Sequence, residues 1–247
     1  AHANLLTRNL LHPISAKKIP VGLIGNVATH PEFRGKGMMT QLFQELERDA
    51  KSKNLKALFL WSDLSQFYQK LDFQAFGNEI RIEIFRSEVG KTLNTGVSFN
   101  EINSLNLADS DLAMMGHWRS QTFLSIERSP EEFRKLLRIP DSDIFSCRQD
   151  GILSAFFIIG KGADLTNVIH EWGYDPKISF NEFLHAAAHA VFQSFKMDSI
   201  IMLAPANKKL DHAPWPAKDH AVCLAKIFES SLKDHENDVF FWGLDSI

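Results

Sequence analysis

The chain has 247 residues, of which 45% are hydrophobic and 23% charged, which excludes a disordered, collagenous or coiled-coil protein and leaves room for two modest domains. Lys and Arg number 27 against 30 Asp and Glu, and the resulting net charge of −3 argues against a dedicated nucleic-acid binder. Residues 3–12 and 19–29 read as strands separated by the polar turn Ser15-Ala16-Lys17-Lys18. Pro31 closes the second strand, and Arg34-Gly35-Lys36-Gly37 follows as a tight basic loop. Met38, Met39, Leu42, Phe43, Leu46 and Ala50 then recur at helical spacing, with Glu45, Glu47 and Arg48 off that face. Residues 56–61 read as a short apolar strand and 66–71 as a short helix. In 79–85, Ile80, Ile82 and Ile84 alternate with Arg81 and Glu83, the pattern of a half-buried strand. The polar stretch 87–96, with Gly90 and Gly96, is the expected linker.

Beyond it, a helix is expected over about 108–124, and a second opens at the capping box Ser129-Pro130-Glu131-Glu132. Strands 143–148 and 152–159 meet at the hairpin signal Asp150-Gly151. A strand at 166–172 precedes the capping box Ser179-Phe180-Asn181-Glu182, which opens a helix to about Phe195. A buried strand at 199–203, a proline-rich loop at 205–220 and closing strands at 222–228 and 238–242 complete the reading. The segments 19–61 and 166–203 share the order strand, connection, amphipathic helix, short strand, a repeat of topology and not of sequence. The second half has two helices and a hairpin before that unit, the first only a hairpin. The expectation is an α/β chain in two units, 1–90 and 91–247, the first lacking roughly one strand and two helices at its start.

The stretch Val27-Ala28-Thr29-His30-Pro31-Glu32-Phe33-Arg34-Gly35-Lys36-Gly37-Met38-Met39 runs a strand through a Gly-rich basic loop into the first turn of a helix. Such a turn aims backbone N–H groups and the positive end of the helix dipole at one spot, the chemistry of a pyrophosphate site. A plain strand–turn–helix with solvated basic residues is the alternative. A P-loop is excluded because Gly-Lys-Ser/Thr does not occur, and a dinucleotide fold is disfavoured because no acidic strand end follows about 20 residues on.

These residues resemble motif A of the GNAT N-acetyltransferases, Arg/Gln-x-x-Gly-x-Gly/Ala, here Arg34-Gly35-Lys36-Gly37-Met38-Met39. Downstream, Gln66-Phe67-Tyr68-Gln69-Lys70-Leu71-Asp72-Phe73 is similar to motif B, usually Phe-Tyr-x-x-x-Gly-Phe. The resemblance covers about residues 1–86, and 97–247 resemble the family in element order alone. It implies two GNAT-like domains in tandem, each a mixed, mostly antiparallel sheet flanked by helices. The first would be catalytic; the second, which has no Gly-x-Gly loop over 173–178, would be degenerate.

The resemblance implies acetyl-CoA as cosubstrate, no metal, and direct attack by a primary amine of a small molecule or peptide. It places the pyrophosphate on the backbone of Arg34, Gly35, Lys36, Gly37, Met38 and Met39, and the pantetheine arm along Val27, Ala28 and Thr29, as an added strand. Tyr68 matches the tyrosine that protonates the leaving thiolate. Met39 stands where the motif carries Gly or Ala, a departure shared with tandem Eis-type enzymes. Leu23 stands where some members place a Glu base; water, a residue before Ala1 or a C-terminal carboxylate at Ile247 would then serve. A CoA-binding or regulatory module without transferase activity is the alternative function.

Other constellations weigh less. His185 and His189 share a helix face but lack a third metal ligand. His170 and Glu171 sit on one strand and point to opposite faces, so at most one lines a site. His30 and Glu32 neighbour the motif A loop. Cys147 and Cys223 sit in apolar runs and read as buried thiols of a reducing compartment, the cytoplasm. The longest apolar run, 152–159, is too short to span a bilayer, and no leader-like stretch opens the chain. Neither a nucleic-acid nor a membrane partner is expected, and a homo-oligomer is left open.

Overall fold

A β-hairpin of β1 (His2–Leu11) and β2 (Lys18–Ala28) leads into α1 (Met38–Ser52), β3 (Ala57–Leu60), the short α2 (Ser65–Gln69) and β4 (Gln74–Phe85). The second half holds β5 (Asn100–Ile102), α3 (Asp109–Ser120), β6 (Ser125–Ile126), α4 (Pro130–Leu136), the hairpin β7 (Asp143–Gln149) and β8 (Ile152–Ile159), β9 (Val168–Tyr174), α5 (Phe180–Ser194), β10 (Ser199–Pro205) and β11 (Ala217–Ile227). This computed structural model describes residues 1–90, 96–120, 123–206, 210, 212 and 214–245. The expected linker 87–96 therefore lies in part, at 91–95, outside the described residues, as does Ile247.

Local chemistry explains most elements. Asp150 and Gly151, at φ 51° and 80°, meet the demand of a two-residue hairpin for two left-handed positions. Both expected capping boxes form, Ser129 with Glu132 and Ser179 with Glu182. Three departures from expectation bear on the fold. The helix expected to reach 124 ends at Ser120, and β6 follows. The loop expected over 205–220 ends where β11 begins at Ala217. Residues 238–242 form no strand; Val239 makes a single bridge to Leu124. Their apolar alternation has another origin: Val239 and Phe241 enter one core, Phe240 and Trp242 another.

The strands form one sheet in the order β5-β7-β8-β9-β10-β4-β11-β3-β2-β1-β6. β2 and β3 are parallel, joined by α1, and β9 and β10 are parallel, joined by α5; the other neighbours are antiparallel. This is an α/β fold with a large, mostly antiparallel mixed sheet flanked by helices. Segment 91–247 also enters the sheet of segment 1–90. β11 lies between β3 and β4, with Leu224 opposite Leu60 and Cys223 opposite Phe76. β4 in turn borders β10, Ile82 opposite Met202.

Beyond β11, Leu232, Val239 and Phe241 cover one face of the first half, over Leu23, Phe59 and Phe76. The other face packs Ile24, Leu58 and Leu60 under Phe43 of α1 and Tyr68 of α2. In the second half, α5 covers a core rich in aromatic rings, and α3 and α4 cover the opposite side. Arg86, just after β4, donates to the carbonyls of Phe192, Phe195 and Met197 and so ties the end of α5 to the first half.

A buried quartet of charges closes the second half. Arg119 lies 3.1 Å from Glu171 and 3.1 Å from Asp245, and Arg128 lies 2.6 Å and 2.5 Å from the same two carboxylates. Two positive and two negative groups cancel, which is what a dry interior demands of ionised side chains. No helix among the described residues is long and apolar enough to cross a membrane.

Candidate active site

The first half opens where two parallel strands part. β2 and β3 pair only at Gly22–Leu58 and Leu23–Phe59. Past that point β2 carries one extra residue against β1, since His2 faces Ala28 while Asn4 faces Gly25. Asn26 takes up the irregularity at φ 53°, a left-handed conformation that asparagine tolerates better than most residues. Beyond Leu23, β2 no longer pairs with β3. Val27, Ala28 and Thr29 then line a groove of about 700 Å³.

The opposite wall is the start of α1. Gly35 and Gly37 sit at φ 73° and 74°, where a side chain would strain the backbone although space is open around both. Gly37 is the N-cap residue, and no side chain caps the helix, whose first turn carries no acidic group. The leading N–H groups of a helix have no partner within it, so this end offers donors and a positive dipole to an anion. Arg34 Nε donates to the Thr29 carbonyl at 3.3 Å and holds the two ends of the loop together. Lys36 does not line the groove; its ammonium lies 5.2 Å above the exposed Phe33 ring.

Tyr68 closes the groove from α2. Its ring packs against Phe43 at 5.7 Å, Phe67 at 5.1 Å and Phe73 at 6.1 Å between centroids. Burial among these rings raises the phenol above its ordinary value of 10, against a lesser lowering by the Ser62 hydroxyl. The phenol therefore stays protonated well above neutrality.

The structure thus brings nine of the ten expected residues to one groove, Lys36 standing at its rim. Reasoning from sequence missed Phe33, Thr40, Leu64 and Phe67, which also line it. Phe33, Leu64 and Phe67 are large apolar residues left exposed, a signal visible only once burial is known. Met38, expected on the core face of the helix, is exposed at the groove instead, because the first turn of α1 overhangs the opening.

The remaining candidates lie elsewhere. Leu23 is buried in the core on the far face of the sheet. His30 and Glu32 are exposed and lie 4.0 Å apart, outside the groove. His170 and Glu171 do point to opposite faces, but β9 is covered on both and each is fully buried. His170 Nε2 meets the Gly160 carbonyl at 2.8 Å and packs under Gly243, while Glu171 belongs to the charge quartet. The His185 ring packs at a tilt against Trp215, 4.3 Å between centroids. Cys147 and Cys223 are free and buried, and burial pushes the Cys223 thiol well up, which suits an inert side chain.

The second half builds the same corner differently. Past the last paired residues of β9 and β10, the Trp172 indole N–H donates to the Leu203 carbonyl at 2.9 Å. Tyr174 and Phe183 stack there at 4.9 Å. At the start of α5, Ser179 Oγ accepts the Glu182 N–H at 3.2 Å, and Glu182 accepts the Ser179 N–H at 2.9 Å.

Residues 2–76 match the family model of the acetyltransferase (GNAT) domain. No curated protein matches the chain at a significant level of sequence similarity. Among solved structures, the chain is similar to a conserved protein of unknown function and probable N-acyltransferase from Enterococcus faecalis V583, at TM-score 0.69 and 14% identity over 92% of this chain and 59% of that one. It is similar to a GCN5-related N-acetyltransferase from Anabaena variabilis, at TM-score 0.66 and 15% identity over 91% and 59% of the two chains. It is also similar to Eis1 from Mycobacterium abscessus, at TM-score 0.60 and 13% identity over 91% and 60%. These likenesses are of fold, and the chain spans about 60% of the length of those proteins.

Proposed function

We propose, from the match of residues 2–76 to the GNAT acetyltransferase domain, that the chain is an N-acetyltransferase that moves an acetyl group from acetyl-CoA to a primary amine. The observation that carries this reading is the uncapped start of α1, which faces a groove running from the splayed end of β2 to Tyr68. The backbone of residues 34–39 would hold the pyrophosphate, with Gly35 and Gly37 allowing close approach and Arg34 and Lys36 adding charge. Val27, Ala28 and Thr29 would bond the pantetheine arm as an added strand.

Transfer is direct, in a ternary complex. The amine nitrogen bonds to the thioester carbonyl carbon, a backbone N–H of the splayed strand steadies the oxyanion, and the C–S bond breaks. Tyr68 gives its proton to the departing sulfur, and the new amide nitrogen loses one proton to solvent. The phenol is suited to this because it is neutral until charge develops on sulfur. Segment 91–247 we read as a GNAT-like partner domain that shapes the acceptor side and does not itself hold CoA. A net charge of −3 mildly favours a cationic acceptor, and two buried free thiols suit the cytoplasm.

A second reading, a CoA-binding module without turnover, is favoured by Leu23, whose buried side chain stands where a carboxylate base would be. Calorimetric titration with acetyl-CoA and CoA release across an amine panel separate the two. Binding with turnover supports the transferase, binding without turnover the module, and no binding defeats both.

A further inference from the structure

The two walls of the groove belong to different helices, and one side chain from far along the chain is bonded to both. β11 carries Leu224 and Lys226 on the same face of the sheet, the face that α1 and α2 cover. Lys226 Nζ donates to Glu47 Oε2 of α1 at 2.6 Å. It also donates to the Leu71 carbonyl at 3.2 Å and to Asp72 Oδ2 at 3.4 Å. An ammonium has three protons, and this one meets three acceptors. The Lys226 and Glu47 side chains are 17% and 23% exposed, so water screens their pair only in part. Asp72, at 84%, adds little.

Leu71 and Asp72 form the turn that follows α2, and that turn closes on Tyr68. The Tyr68 carbonyl accepts the Leu71 N–H at 2.9 Å and the Phe73 N–H at 3.1 Å. On the other side, Glu47 Oε1 accepts from Lys51 Nζ at 2.6 Å, which holds the carboxylate in place. Between the helices the Phe43, Tyr68 and Phe73 rings pack together, a contact with little directional demand. The bonds of Lys226 are charge-assisted and directional, and they fix what the rings leave loose. Lys226 itself lies outside the lining of the groove.

We propose that Lys226 is a positioning residue for the groove: by bridging α1 and the turn after α2, it sets the spacing between the start of α1 and Tyr68 on the opposite wall. The proposal rests on the reading of this groove as the acetyl-CoA site. A ligand that touches both walls needs them held to within about 0.5 Å, and a residue of segment 91–247 supplies that restraint to residues 1–90.

Two ligands separate positioning from mere stability. Adenosine 3′-phosphate 5′-diphosphate carries the pyrophosphate and needs the start of α1 alone, whereas acetyl-CoA reaches from there to Tyr68. Lys226→Met keeps the apolar stem and removes the ammonium. In calorimetry on the folded full chain it should weaken acetyl-CoA about five- to tenfold and the nucleotide less than about twofold. Glu47→Gln should also weaken acetyl-CoA, and the double variant should be no weaker than Lys226→Met, because both act through one bond. Lys56→Met breaks the 2.7 Å ion pair to Glu229, just past the same strand, and should leave both affinities unchanged.

Unchanged acetyl-CoA affinity in Lys226→Met, or an equal loss for both ligands, overturns the role of Lys226 alone. Should Lys226→Met fail to fold, Glu47→Gln decides by the same two titrations. No binding of acetyl-CoA by the unaltered chain overturns the parent reading of the groove, and this one with it.

Discussion

The starts of α1 and α5 occupy matching places in two βαβ units and are finished in opposite ways. α1 begins at Gly37 with no side-chain cap, no acidic group in its first turn and an open groove in front of it. α5 begins at Ser179 inside a complete capping box, with the Glu182 carboxylate at its positive end. The strand corners differ in the same sense. β2 and β3 part around a bulge at Asn26, whereas the Trp172 indole spans β9 and β10 to Leu203. One unit leaves the donors of its first turn uncapped and the other caps them with its own side chains. A helix start can serve as an anion site, and the residues at its cap decide whether its donors are available.

The contrast extends to charge. Near the groove, Arg34 and Lys36 are exposed, while Arg119 and Arg128 in the second half are buried against Glu171 and Asp245. The largest expected effect follows from that difference. Arg128→Ala leaves a buried carboxylate uncompensated and should destabilise folding by about 3–5 kcal/mol, read by chemical denaturation. Acetyl-CoA affinity of the folded protein should be unchanged, and a parallel loss of affinity would break the separation between the halves.

Next in size is Tyr68→Phe, expected to lower kcat about 10²-fold with little change in acetyl-CoA affinity. Tyr174→Phe tests the matching corner and should leave kcat unaltered; burial pushes that phenol up to about 12. The pH profile sharpens the point. Tyr68 is active in its protonated form and burial raises its pKa, so kcat should rise with pH as the amine deprotonates and decline only above 10. Tyr68→Phe should lack the alkaline decline, and a decline near neutrality would point to another group.

Thr40→Glu places a carboxylate three residues after the N-cap, the position Glu182 holds in α5, and at a residue that lines the groove. It should weaken acetyl-CoA binding about tenfold or more by competing for the helix end, measured by calorimetry, while leaving the fold intact. The smallest effect is Ser179→Ala, which removes the α5 cap and should lower stability by about 1 kcal/mol without altering acetyl-CoA affinity. A gain of acetyl-CoA binding by the second half in this variant would show that capping alone closes it.

What was legible in the sequence follows from range. Asp150-Gly151, the two capping boxes and Gly35 and Gly37 state local backbone conformations, and all stand as expected. The groove was legible where a motif of contiguous residues builds it. Phe33, Leu64 and Phe67 were not, because an apolar residue at the wall of a groove is marked only by being left exposed.

Residues 238–242 mislead because alternation reports burial on two sides, and two cores produce it as well as a sheet does. By itself the sequence determined the strand–loop–helix that offers donors to an anion, the tyrosine near it, and the repeated βαβ order. Tertiary structure alone decided that β11 lies between β3 and β4, that Glu171 and Asp245 neutralise two buried arginines, and that Leu23 faces away from the groove. Those outcomes depend on residues from tens to more than a hundred positions apart. Backbone preference acts over a few residues, whereas pairing of strand edges and of buried charges is settled only when the whole chain has packed.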